Sequence, residues 1–151
     1  MPNRQTYRIG TGAGFSSDRL DPAIDLVKRG QLDAIVFECV GERTLAFGHR
    51  DRAKDSNRGY NALLEKRLRA LLALCHANGT RLITNMGVAN PAAAAKIAHR
   101  IGQELGLNGL RIAAVTGDDV SALIHDYSKL SEPACTVGET CLLYTSDAAD
   151  E

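Results

Sequence analysis

The sequence predicts an α/β fold built on a parallel sheet, and three observations carry that expectation. Strand-like and helix-like segments alternate four times with short connections. That rhythm forces crossovers and therefore parallel strands. Leu32 to Val40 is almost unbroken in apolar residues through Ala34-Ile35-Val36-Phe37, the pattern of a strand covered on both faces. Asp21-Pro22 and Asn90-Pro91 each place an acceptor side chain before a proline, the usual start of a helix. An open, Rossmann-like three-layer sheet fits this pattern, and so does the first half of a TIM-like barrel. Four units are too few to close a barrel, which favours the open sheet.

Tyr7 to Thr11 is the first expected strand, running into a glycine-rich turn, Gly10-Thr11-Gly12-Ala13-Gly14. Ile24, Val27 and the closing Gly30 then define a short helix. After the second strand, Glu42 to Phe47 reads as a short helix and His49 to Gly59 as a surface loop. Tyr60, Leu63, Leu64, Arg67, Leu68, Leu71, Leu72 and Cys75 step at three and four, the stripe of a long helix, with Gly79 placed to end it. Thr80 to Thr84 is the third strand. Ile97, Ile101 and Leu105 mark the buried side of the next helix, and Asn108-Gly109 turns into a fourth strand, Leu110 to Val115. A last helix is expected from Val120 to Tyr127.

With 44% hydrophobic and 24% charged residues, the composition is that of a globular chain. No apolar run approaches the roughly 18 residues needed to cross a bilayer, and Met1-Pro2-Asn3-Arg4-Gln5 lacks a secretory apolar stretch. A cytoplasmic protein without membrane attachment is expected. The formal charge is zero, which gives no reason to expect a nucleic-acid partner. Cys39, Cys75, Cys135 and Cys141 contain no C-x-x-C pair, so neither a disulfide framework nor a zinc site is expected. Cys39 and Cys75 lie in apolar segments, as small buried hydrophobes do.

In either architecture, ligands bind beyond the carboxyl ends of the strands. Gly10, Gly12 and Gly14 are a candidate anion cradle, with backbone N–H groups as donors, alongside Asp18 and Arg19. The competing reading is a tight turn that needs positive φ. The dinucleotide fingerprint is not met, because no third glycine follows at the required spacing and Asp33 precedes its strand. Glu38, at the end of the apolar second strand, is the candidate base, with Arg43 or Arg19 as partner. Glu42 suits a structural ion pair better. Asn85 is the second candidate catalytic residue, placed to orient a carbonyl or carboxylate. Asn90 has a sufficient task as a helix cap and is a candidate ligand contact besides. Asp118, past the fourth expected strand, is a candidate ligand contact, and with Asp119 it suits a helix N-terminus better than a metal site, since no third ligand stands at useful spacing. His49, His76, His99 and His125 form no ligand pair and are expected in solvent. The sequence specifies no cofactor, and association with further copies of the chain is left open.

Arg8 to Arg19 with Asp21-Pro22-Ala23, Phe37 to Thr44, Leu64 to Arg69 and Thr84 to Pro91 together resemble the N-terminal part of the acyclic terpene utilisation AtuA family. The resemblance covers essentially all of residues 7–119. It implies a longer protein, set among acyl-CoA enzymes that degrade geraniol- and citronellol-like compounds and related acids, and it supplies no catalytic residues. Two functions follow as expectations: an enzyme domain acting on a carboxylate or acyl-CoA substrate, or a non-catalytic subunit that partners acyl-CoA enzymes. The final Cys141-Leu142-Leu143-Tyr144-Thr145-Ser146-Asp147-Ala148-Ala149-Asp150-Glu151 resembles one reading frame of a transposase adapter used in sequencing libraries. Residues 1–140 are accordingly expected to be an N-terminal α/β domain lacking its C-terminal part, and 141–151 a foreign tail. Without Asp147, Asp150 and Glu151 the remaining chain is mildly basic.

Overall fold

A computed structural model describes residues 6–119. The chain divides into two compact units, Met1–Val115 and Thr116–Glu151. Of the second, only residues 116–119 are described, and the expected helix at 120–127 and the tail at 141–151 lie outside the described residues.

The first unit is α/β. It contains β1 (Ile9–Ala13), α1 (Asp21–Arg29), β2 (Ala34–Phe37), α2 (Glu42–Lys54), α3 (Leu64–Asn78), β3 (Arg81–Thr84) and α4 (Pro91–Glu104). The three strands form one parallel sheet in the order β1-β2-β3, in keeping with a Rossmann-like arrangement. Ile35, Phe37, Val27, Leu71 and Ile101 are almost fully enclosed between this sheet and its helices. Each contributes about 1.5–3 kcal/mol relative to exposure. α3 packs between α1 and α4. On the opposite face of the sheet, Ile9 is 66% and Ile83 46% exposed.

Several boundaries differ from expectation for identifiable reasons. β1 starts at Ile9 and runs through Gly12 to Ala13, two residues past its expected end at Thr11. Leu20, not Asp21, precedes the first helical residue of α1, and Asp21 lies in the first turn with its carboxylate on Arg19. α2 continues to Lys54, where a loop was expected from His49. Arg50, Arg52, Ala53 and Lys54 favour helix, and Gly48 is tolerated because an added Cβ would stand 2.5 Å from Val88. α3 starts at Leu64, after Tyr60 and Leu63, and ends as expected at Gly79 with φ +67. At that left-handed position the Gly79 N–H donates to carbonyls of the last turn. Asn90 caps α4 through the Ala93 N–H. Leu105 falls at the C-cap and is exposed, so Leu107 and Leu110 take its expected place against the core.

The fourth strand is not formed among the described residues. Leu110 to Val115 makes no ladder with β3. Leu110 instead packs over Gly102 of α4, and Val115 is 87% exposed.

Candidate functional site at the C-terminal ends of the strands

The ends of β1, β2 and β3 are brought together by backbone pairing. The ladder Ala13 with Phe37, and Phe37 with Thr84, aligns the last residues of all three strands. The Glu38 N–H donates to the Ala13 carbonyl at 3.0 Å. The loops that follow therefore emerge side by side: Gly14 to Asp18, Glu38 to Val40, and Asn85 to Ala89.

The glycines of β1 have packing tasks. A Cβ on Gly10 would lie 2.6 Å from Leu32 and 2.7 Å from Leu26, and one on Gly12 would lie 2.5 Å from the Phe37 ring. The register shifts between Thr11 and Ala13, so the strand carries a bulge at Gly12. Bulges of this kind re-aim the chain at a strand end. None of Gly10, Gly12 and Gly14 has positive φ, which corrects the tight-turn expectation: Gly10 supplies space for Leu26 and Leu32, and Gly12 for the Phe37 ring of the neighbouring strand. Gly14, just past the strand, is exposed and unobstructed. Its N–H and that of Phe15 both donate to Asp18 Oδ2, at 2.9 and 3.0 Å.

Glu38 is exposed at the end of β2. Its Oε1 accepts from the Val40 N–H and from Asn85 Nδ2, both at 2.9 Å. Asn85 Oδ1 in turn accepts from the Cys39 N–H at 2.8 Å. One amide side chain thus grips the β2 loop by backbone and carboxylate together and fixes the Glu38 rotamer. Neither expected arginine pairs with Glu38. Arg19 donates to Asp21, and Arg43 lies over the Phe47 ring, 5.5 Å from its centre. Because Glu38 is solvated, it is stable without a cation, unlike the buried carboxylate that the apolar strand suggested.

Asn90 stands apart from this pair. It is buried, caps α4 and donates to the Ser56 and Arg58 carbonyls at 2.8 and 2.7 Å. Its side chain holds the loop after α2. Asp118 belongs to the second unit and is exposed there. His49, His76 and His99 are in solvent as expected, and His125 lies outside the described residues. Cys39 and Cys75 are buried free thiols. Burial raises the Cys75 pKa to about 11. Burial likewise raises that of Cys39, against the opposing pull of Arg67.

Arg67 is the residue that sequence reasoning passed over. It sits on α3 beneath the rim, 2% exposed. Nη1 lies 3.0 Å from Cys39 Sγ and 3.6 Å from Met86 Sδ, and Nη2 donates to the Asp18 carbonyl at 3.0 Å. The guanidinium also lies 5.7 Å from the centre of the Phe37 ring, a cation–π contact. One side chain therefore touches the loops after β1, β2 and β3. No acidic side chain pairs with it among the described residues. The available signal was its position: a charged residue on the apolar stripe of α3, between Leu64 and Leu68.

A shallow hollow of about 320 Å³ lies elsewhere, lined by Val27, Lys28, Leu32, Asp33 and Asn78. It is at the opposite, N-terminal end of the strands, away from Glu38 and Asn85. The rule that parallel sheets bind ligands beyond their carboxyl ends, together with the polar side chains found there, outweighs the concavity as a guide to function.

Residues 7–148 match the model of a family described as acyclic terpene utilisation family protein AtuA, a span that runs past Thr140. No curated protein and no solved structure matches the chain significantly.

Proposed function

Starting from a chain that belongs to the AtuA family of acyclic terpene utilisation, we propose that the C-terminal rim of the sheet binds a terpenoid acid of geraniol or citronellol type, or its acyl-CoA thioester. In this reading Glu38 is the proton acceptor, Asn85 positions it, and the loop after β1 receives the anionic part of the ligand. The supporting observation is the Glu38–Asn85 pair. Both hydrogen bonds given to the Glu38 carboxylate fall on Oε1, which leaves Oε2 to meet a donor on the ligand. The pair is held before any ligand arrives, and a general base needs that fixed geometry.

A second reading is a non-catalytic subunit that binds the same ligand class for partner acyl-CoA enzymes. The exposure of Glu38 favours it, because an active base is normally enclosed to exclude water. Calorimetric titration with citronellate and citronellyl-CoA, followed by single-turnover assays, separates the two. Binding that Glu38→Gln weakens about tenfold or more, with turnover that Glu38→Gln abolishes, supports the enzyme. Binding without turnover supports the subunit. If wild-type protein ignores both ligands, or Glu38→Gln and Asn85→Ala bind them as wild type does, the rim is not the site.

A further inference from the structure

We infer that the loop after β1 is an oxyanion site whose resting occupant is the protein's own Asp18, and that a carboxylate or phosphate group of the ligand displaces it. The inference rests on the rim reading above and specifies what the loop does there.

Two consecutive backbone N–H groups, of Gly14 and Phe15, converge on the single oxygen Asp18 Oδ2 at 2.9 and 3.0 Å. Successive N–H groups aimed at one point make an anion-binding concavity, and here a carboxylate already fills it. The occupant is exposed and only a few residues along the chain, so it can swing into water without disturbing the core. Gly14 leaves the approach open, since a Cβ there would meet nothing within 4 Å.

The second observation comes from the helix beneath the loop. Arg67, 2% exposed, donates to the backbone carbonyl of Asp18 and has no acidic partner among the described residues. A buried guanidinium without a counter-ion keeps much of its field, because little solvent screens it. Asp18 is the residue whose backbone carbonyl Arg67 holds, so a buried cation anchors the segment that carries the occupant of the two N–H groups. An incoming oxyanion would gain the same two N–H donors. It must first overcome the charge and the hydrogen bonds of Asp18.

This competition fixes the sign of the test. Asn at position 18 keeps an acceptor oxygen for the Gly14 and Phe15 N–H groups but loses the charge, so it is a weaker competitor. The protein is titrated separately with inorganic phosphate, citronellate and coenzyme A, following the Gly14 and Phe15 amides by proton–nitrogen correlation spectra. At least one of the three should shift both amides in wild type, and Asp18→Asn should bind that ligand about tenfold tighter. A response to citronellate assigns the loop to carboxylate, and a response to phosphate or coenzyme A assigns it to phosphate. Displacement is overturned if all three leave the two amides unmoved, or if Asp18→Asn binds no more tightly than wild type. Glu38→Gln is run alongside. If it weakens citronellyl-CoA binding while Asp18→Asn changes nothing, the rim reading survives and the displacement falls. If Asp18→Asn tightens binding while Glu38→Gln has no effect, the loop is an oxyanion site and the role of Glu38 falls.

Discussion

Arg67 and Cys39 meet at 3.0 Å, guanidinium against sulfur, inside a protein where the arginine has no acidic partner among the described residues. The charge is stabilised by distributed contacts: two sulfurs, one carbonyl and the Phe37 ring. Truncation should therefore be costly, mainly through the hole and the unmet Asp18 carbonyl. Arg67→Ala is expected to lose about 3–4 kcal/mol. Arg67→Met fills most of the space and removes a buried charge, so it should lose about 1–2 kcal/mol. Urea denaturation of both variants checks this. Equal losses would mean that the cation's own contacts, and not the space it fills, hold the rim.

Gly12 of β1 lies against the Phe37 side chain of the neighbouring strand β2. A methyl group there would stand 2.5 Å from the Phe37 ring, whereas one on Gly14 would meet nothing within 4 Å. Gly12→Ala is expected to cost about 2–3 kcal/mol by overpacking, and Gly14→Ala within about 0.5 kcal/mol. Adding Phe37→Leu to Gly12→Ala should recover part of the loss. Non-additivity in that double-mutant cycle is the measurement, and strict additivity would show that the ring does not press on Gly12.

The alternation of strand and helix, the apolar second strand and the capped helices were legible because each is a local pattern. The sequence spacing also pointed to the strand ends as the place where Glu38 and Asn85 sit. Three features were illegible for physical reasons. The glycines of β1 look alike in sequence whether they bind an anion, turn the chain or admit a neighbour, and only the Phe37 ring and Leu26 separate these cases. Arg67 was absorbed into an apolar stripe because periodicity reports which face is buried and not what a charge finds there. Leu110 to Val115 has strand composition, but whether a strand forms depends on a pairing partner, and β3 does not supply one in the described residues.

Asn90 joins the start of α4 to the loop after α2. It accepts from the Ala93 N–H and donates to the Ser56 and Arg58 carbonyls. Asn90→Ala is expected to lose about 2–3 kcal/mol, from the cap and two buried hydrogen bonds. Asn90→Asp keeps the acceptor for the Ala93 N–H but sets a carboxylate oxygen against the Ser56 and Arg58 carbonyls, so it should recover none of that loss. If Asp recovers everything, the two donated bonds contribute nothing. Thermal and urea unfolding of the pair give the answer.

Cys75 gives the fold an alkaline limit. Burial against the core of α3 disfavours its thiolate and lifts the pKa to about 11, above the ordinary thiol value of about 8.5. The sign follows from proton binding. Above the unfolded value the unfolded chain releases this proton while the native state retains it, so ionisation favours unfolding. The stabilising contribution is complete below about pH 8.5 and is lost as pH rises through about 11. The full loss approaches about 3 kcal/mol. Burial raises the Cys39 pKa too, so its contribution has the same sign. Urea midpoints of wild type and Cys75→Ala at mildly and strongly alkaline pH isolate the effect. Wild type should lose stability more steeply than Cys75→Ala across this range, and parallel pH profiles would show that Cys75 ionises as easily in the native state as in the unfolded chain.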